Sequence, residues 1–324
     1  MIGGSGHVGA HTAKALRQLH PALPITIAAR DQRAAAAVAL DVGGPTTITP
    51  IDLDRDDLGL PAEAAFGAVV VLLKDHTLSS LRYAQARRVP YLSFSDFAHE
   101  IAPEIALYIR NPTSAPVLLL GHLLGGTVTL AALHVARELR RVDTIEIACV
   151  IDADDLGGPA SQADFERQAK FGPSGLIVDR GRWTPVIGAE ATRRFLDVTG
   201  VERQGQALPI LDVGSLAAAT SARSIRVDLG LRETPHADGR STEVIFELTG
   251  EDHDGRPAHV RYEIVDRDAY ARLSARGAAL STERLLGLTG DWPIPPGLYH
   301  PELLLDPSAA MQRLATLGTQ LRRA

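Results

Sequence analysis

Apolar and polar positions fall into two regimes along the chain. In the first, short strand-like runs recur at Ile25 to Ala29, Thr46 to Ile51, Ala68 to Leu73, Pro90 to Phe94 and Pro116 to Leu120. Helical stretches separate them, at His7 to His20, Gln32 to Leu40, Thr77 to Arg88 and Asp96 to Arg110. Uniformly apolar runs such as A-V-V-V-L-L predict strands covered on both faces, and strand–helix alternation predicts right-handed crossovers within a parallel sheet. The expected fold class is therefore α/β, beginning with an N-terminal Rossmann doubly wound parallel sheet.

After Leu123 the period changes. A long helix, about Gly126 to Arg140, leads into Thr144 to Ile151, and the segments Ser224 to Arg232, Thr242 to Thr249 and His259 to Val265 alternate apolar with polar side chains. Val244, Phe246 and Leu248 share one strand face, as do Val260, Tyr262 and Ile264, and E-D-H-D-G-R-P between them supplies turn chemistry. This predicts a hairpin in an antiparallel or mixed sheet, hence an α+β second domain. The stretch Gly157 to Gly214, rich in Gly, Pro and Arg, reads as loops and short helices beside a cleft, and helical patterns return at Asp268 to Leu288 and Pro307 to Leu321.

Composition narrows the function classes. The 324 residues correspond to about two domains, and 45% apolar with 22% charged residues is ordinary for a globular protein. No run of about 18 uncharged apolar residues exists to cross a bilayer, so no membrane partner is expected. Thirty-three basic against 39 acidic side chains give a net charge of −6, which argues against a nonspecific nucleic-acid binder. Cys149 is the only cysteine, which excludes an intramolecular disulfide and a cysteine-rich zinc site and suits a reducing, cytoplasmic compartment. The opening M-I-G-G-S-G has neither a basic nor an apolar region of the signal-peptide kind.

Gly4-Ser5-Gly6-His7-Val8-Gly9 has the G-x-G-x-x-G spacing and opens a helix. The glycines serve a tight turn, close backbone approach to a pyrophosphate and close packing of helix on strand, with helix N-terminal amides facing the anion. A strand ending about 20 residues later, at Ala29, sits where the ribose-reading residues belong. There the chain reads A-A-R-D-Q-R: Arg30 and Arg33 offer guanidinium groups to a 2′-phosphate, while Asp31 suits a ribose diol. NADP(H) is the expected cofactor, with NAD(H) second. Only Met1 and Ile2 precede the glycines, whereas such a first strand normally has about five residues; either the start lies upstream or the strand is truncated.

Ligands of open α/β sheets lie beyond the carboxyl ends of the strands. The exit of the run Ala68 to Leu73, Lys74-Asp75-His76, puts a cation, a carboxylate and an imidazole at that edge, able to hold an anion or pass a proton; the plainer role is to end a strand and cap the helix from Thr77. Asp96 follows the run Pro90 to Phe94 as a candidate acid or N-cap, and His122 in G-H-L-L-G-G begins another turn at the same edge. Arg180, Arg182 and Trp183 are weaker candidates for a substrate carboxylate. His7 and His11 have metal-like spacing but no third ligand in reach, so no metal is expected. No tyrosine has a lysine four residues on, and the glycine loop lacks a G-K-[ST] ending, which excludes two other nucleotide-binding chemistries.

In order along the chain, I-G-G-S-G-H-V-G, V-V-V-L-L, R-R-V-P-Y-L-S-F-S-D, L-L-G-H-L-L-G-G, G-E-D-H-D-G-R-P and P-P-G-L-Y-H-P-E-L-L-L-D-P resemble the saccharopine dehydrogenase-like family of NAD(P)-dependent oxidoreductases. The resemblance implies a dinucleotide domain over 1–123, an inserted substrate and dimerisation domain over 124–266, and C-terminal helices over 267–324 that pack back on the first domain. It also implies pyrophosphate contacts from Gly4, Gly6 and Gly9, a 2′-phosphate contact from Arg30, an adenine-side Asp52, and a nicotinamide lined by Leu73 to His76. The expected activity is NADPH-dependent reduction of a C=N, C=O or activated C=C bond of a small molecule. A non-catalytic NADP(H)-binding sensor on the same fold is the competing reading, and exposed sheet edges make a homodimer plausible.

Overall fold

The computed structural model describes residues 1–94, 97–155, 157–170, 174–233, 239–267, 270–290 and 293–324. The first sheet is built from β1 (Ile25–Ala29), β2 (Thr46–Pro50), β3 (Val69–Val71), β4 (Tyr91–Ser93) and β5 (Pro116–Leu119), joined by α1 (His7–Leu19), α2 (Gln32–Val42), α3 (Ser79–Arg87) and α4 (Ala102–Arg110). All pairs among these strands are parallel, β1 with β2, β3 with β4 and β4 with β5. Ile2 bridges Ala28 on one side and Val71 on the other, both in parallel, and so joins the two halves. Ile2 thus stands between β1 and β3 at the centre of a doubly wound order.

The two interruptions of the expected helices have local causes. The helix expected from Asp96 begins only at Ala102, because Pro103 is tolerated in a first turn and residues before it fold into a tight turn, Glu100 N–H donating to Phe97 O at 2.8 Å. The helix expected from Thr77 begins at Ser79, preceded by Leu78 at φ 57°.

The second sheet contains β6 (Arg141–Asp152), β7 (Ser174–Asp179), β8 (Arg182–Ile187), β9 (Thr192–Leu196), β10 (Glu202–Ala207), β11 (Ser224–Arg232), β12 (Ser241–Glu251) and β13 (Pro257–Arg267). β6 pairs parallel with β11 and antiparallel with β12, so the sheet is mixed. The hairpin has the register its pattern calls for: Val244 faces Ile264, Phe246 faces Tyr262 and Leu248 faces Val260. The Gly157 to Gly214 segment departs from expectation. Besides α6 (Pro159–Ala169) and α7 (Asp212–Ala219) it forms β7 to β10, half-exposed strands whose arginines and glycines blur the period-two signal.

α5 (Thr127–Ala136) is buried almost throughout and runs from the first sheet into the second. The C-terminal region then returns to both sheets. α8 (Tyr270–Leu285) packs against α1 and against the turn at 123–126, β14 (Gly297–Tyr299) adds a parallel strand beside β5, and β15 (Leu321–Arg323) pairs with β13. Between them lie α9 (Pro301–Leu304) and α10 (Pro307–Thr316). α8 meets the turn without room for a methyl: a Cβ on Gly277 would stand 2.1 Å from Gly125 O, and one on Gly125 2.4 Å from Ser274 O. Among the described residues no helix is long and apolar enough to cross a membrane.

Candidate functional site

The glycine loop connects the bridging Ile2 to α1. Gly3 turns the chain at φ +76°, and Gly6 is the N-cap of α1, with no side chain capping it and no acidic residue in the first turn. Gly9 presses the helix onto the loop so closely that a Cβ there would lie 2.3 Å from Gly3 O and 2.6 Å from Gly4 Cα. The result is an uncapped, positively polarised helix end against bare backbone, the arrangement that accepts a diphosphate. Ser5 and His7 stand at its rim, Val8 is buried beneath it, and Leu73 lies against Gly3, its Cδ2 being 3.2 Å from where a Cβ would stand.

At the end of β1, Arg30 and Arg33 are exposed, and neither guanidinium makes a hydrogen bond or ion pair among the described residues. Asp31 is committed: its Oδ1 accepts from Arg33 N at 2.9 Å and Ala34 N at 3.1 Å as the N-cap of α2. The two guanidiniums are free to meet a ligand, and exposed Asp31 uses one carboxylate oxygen for the helix. Asp52 is exposed just after β2, where its Oδ1 accepts from Asp54 N at 3.0 Å.

The Lys74-Asp75-His76 cluster divides. Asp75 is buried and accepts from Thr77 N and Oγ1, Leu78 N, and Ser80 N and Oγ, at 2.5 to 3.0 Å. Burial alone would raise its pKa, but the bonds from Ser80 and Thr77 outweigh that and hold the carboxyl below its ordinary value. Asp75 is therefore the cap of α3 and no proton donor. Lys74 Nζ lies 3.8 Å from Glu100 Oε2, and Glu100 is held in turn by Arg167 Nε at 3.0 Å, which also reaches Asp164. His76 is exposed. Asp96 lies outside the described residues. Trp183 is 55% exposed, and Arg180 pairs with Asp179 at the tip of the β7–β8 hairpin, neither of them in the cavity described next.

A cavity of about 110 Å³ opens between the carboxyl edge of the first sheet and the second domain. Its walls come from Val8 of α1, Phe94 and Phe97 after β4, His122 to Leu124 after β5, Asp164, Phe165 and Gln168 of α6, and Tyr270 of α8. It is mostly apolar, with a few polar groups converging on it, as binding sites are. His122 and Gln168, which line it, have buried polar atoms without a partner among the described residues, His122 Nδ1 and both polar atoms of the Gln168 side chain, a rare condition in a folded interior. His122 Nε2 is 2.8 Å from Ser215 Oγ, and the backbone after it is anchored by Leu123 N–H to Asp212 Oδ2 at 2.7 Å. Burial, and next to it the proximity of the second titratable ring of His300, keeps the His122 imidazole well below its ordinary pKa, so it is neutral near pH 7. Burial likewise pushes the Asp212 carboxyl up to about 7, against hydrogen bonds from Thr129 and Leu123. Ligand-type atoms of His122, His300 and Glu302 lie within 4.8 Å of one another, and Ser215 Oγ is within hydrogen-bond distance of both rings.

Of the sequence candidates, the structure brings together Val8, the glycine loop, Leu73 and His122, and turns Asp75 inward to structural service. Asp164, Gln168 and Tyr270 are functional candidates the sequence did not mark. They arrive on two helices whose place opposite the glycine loop follows from long-range packing. The one signal was α6 itself, lying in the segment read as cleft-forming.

These elements define a saccharopine dehydrogenase-like fold, a parallel dinucleotide-type sheet joined to a mixed second sheet. No protein-family model matches the chain, and no curated protein sequence matches it. Among solved structures it is similar to apo saccharopine dehydrogenase (L-Glu forming) from Saccharomyces cerevisiae, at 12% identity over 100% of this chain and 98% of that one, with a TM-score of 0.73. It is also similar to amine dehydrogenase from Mycobacterium smegmatis, at 12% identity over 94% and 95% of the two chains, with a TM-score of 0.54.

Proposed function

We propose that this chain is a pyridine-nucleotide-dependent oxidoreductase, selective for NADP(H) over NAD(H), that reduces a C=N, C=O or activated C=C bond of a small molecule held in the cavity. The observation that carries the reading is the adjacency of two features: the uncapped α1 end with its methyl-excluding Gly9, and a cavity walled by Val8 of that same helix and by His122. Gly4, Gly6 and Gly9 would hold the pyrophosphate, the unpaired Arg30 and Arg33 the 2′-phosphate, and Leu73 one side of the nicotinamide. When bound, the cofactor supplies a hydride to substrate carbon. The chain's own residues do the rest: Phe94, Phe97 and Phe165 exclude water, Gln168 offers a donor and an acceptor to orient the substrate, and His122 Nδ1 exchanges the proton. The names of the two similar structures, both dehydrogenases, support this chemistry.

One observation favours the competing reading of a non-catalytic NADP(H) sensor: Asp75 is consumed by a helix cap and Lys74 by Glu100. Fluorescence titration with NADPH and NADH, followed by a screen for oxidation of bound NADPH across imines, ketones and enones, separates the two. Turnover supports the enzyme, and tight binding with no turnover supports the sensor.

A further inference from the structure

We propose that His122, Ser215 and His300 form a proton relay that joins the cavity to solvent, so that a neutral His122 can exchange a proton with whatever occupies the cavity. The inference rests on the cavity being a reaction site, as set out above. The three groups are in hydrogen-bond sequence: His122 Nε2 to Ser215 Oγ at 2.8 Å, and Ser215 Oγ to His300 Nδ1 at 2.9 Å. One end is buried, His122 lining the cavity at 5% exposure with its Nδ1 unpartnered. The other end reaches water, the His300 side chain being 28% exposed. The two rings stand edge to face, 5.0 Å between centroids, and Ser215, 1% exposed, sits on α7 one turn after the Asp212 that anchors the backbone at Leu123.

A lone imidazole held neutral by burial is a poor acid, and the relay answers that difficulty. A hydroxyl has one hydrogen and can donate to only one of the two rings. If His300 Nδ1–H donates to Ser215 Oγ, then Ser215 O–H donates to His122 Nε2, and His122 carries its hydrogen on Nδ1, at the cavity. Giving that proton away lets His122 Nε2 take the serine hydrogen, Ser215 take the His300 Nδ1 hydrogen, and His300 gain a proton at Nε2 from water. One proton enters and one leaves, both rings change tautomer together, and neither ends with a charge. Run in reverse, the same chain accepts a proton from the cavity. Glu302 Oε1, 3.8 Å from His300 Nδ1, and Asp212 are the acidic groups packed around the chain, and neither interrupts it.

The arrangement makes a sharp demand: the two rings must carry the same tautomer, both Nε2–H or both Nδ1–H. Long-range proton–nitrogen NMR of the full chain labelled with nitrogen-15 histidine, with His122 and His300 assigned through H122Q and H300Q, reads this directly. The relay predicts matching neutral tautomers, and a Ser215→Ala variant in which exchange of the His122 ring proton with water slows at least tenfold. Opposite tautomers, an imidazolium at either position at pH 7, or exchange unchanged in S215A would overturn it. The measurement needs no cofactor, so a mismatch overturns the relay whether or not NADPH binds, and failure to bind NADPH overturns the proposed function by itself.

Discussion

Replacing Gly9 by alanine probes the dinucleotide cradle at its tightest point. The added methyl would stand 2.3 Å from Gly3 O, 2.6 Å from Gly4 Cα and 2.8 Å from Gly4 C, against normal contacts of about 3.5 Å or more, so loop and helix must part by roughly 1 Å. Overpacking of this kind costs about 1–3 kcal/mol, and alanine returns about 1 kcal/mol in helix propensity, leaving a net loss of roughly 0–2 kcal/mol that a chain of this size survives. Binding is affected more. A 1 Å displacement takes an amide out of hydrogen-bond range of a phosphate oxygen, and one charge-assisted bond is worth about 1.5–3 kcal/mol, or roughly a 10- to 150-fold change in affinity. Fluorescence titration with NADPH and NADH, with thermal melting as the control for folding, should show both dinucleotides weakened at least ~10-fold in a protein that still melts cooperatively. A folded G9A that binds NADPH as tightly as the parent would refute the pyrophosphate assignment.

Three further outcomes are expected. Arg30→Ala removes an unpaired guanidinium at the 2′-phosphate position, so NADPH affinity should fall ~10-fold or more with NADH changed less than about twofold; equal losses in paired titrations would end that assignment. Asp212, with a folded pKa of about 7 against about 3.9 unfolded, holds a proton in the native state that the unfolded chain has lost, so it subtracts stability as pH rises from about 4 to 7, by roughly 4 kcal/mol at most. Asp212→Asn should remove that slope in urea titrations run across the range, and a difference between parent and variant independent of pH would contradict the buried-acid account. Asp75 has the opposite sign: its folded pKa is lowered, so its contribution is present above about pH 4 and lost as pH falls through the folded value. Asp75→Ala should cost about 2–4 kcal/mol at pH 7 and less in acid, with NADPH affinity nearly unchanged.

The sequence carried the first sheet because β3 to β5 are buried on both faces and alternate with helices, and it carried the β12–β13 register because Val244, Phe246 and Leu248 alternate without interruption. It missed β7 to β10, where half-exposed edge strands such as Arg182–Ile187 alternate too weakly to stand out from loop. At the site, spacing alone exposed the glycine loop and the edge position of His122. For Asp75 it offered both a ligand-facing and a capping role, and only the fold shows the carboxylate turned inward to five donors. Asp164, Gln168, Ser215 and His300 were illegible for a different reason. They are separated in sequence by as much as 178 residues from the groups they meet around His122, and only the closing of α6, α7 and the C-terminal region on the first sheet brings them there.

The most direct test of the central claim is a crystal structure of the chain soaked with NADPH. The account predicts the pyrophosphate against the backbone amides of residues 4–9, the 2′-phosphate within hydrogen-bond reach of Arg30 or Arg33, and the nicotinamide ring facing the cavity between Val8, Leu73 and His122. A dinucleotide bound anywhere else, or no dinucleotide at the glycine loop at saturating concentration, would contradict it.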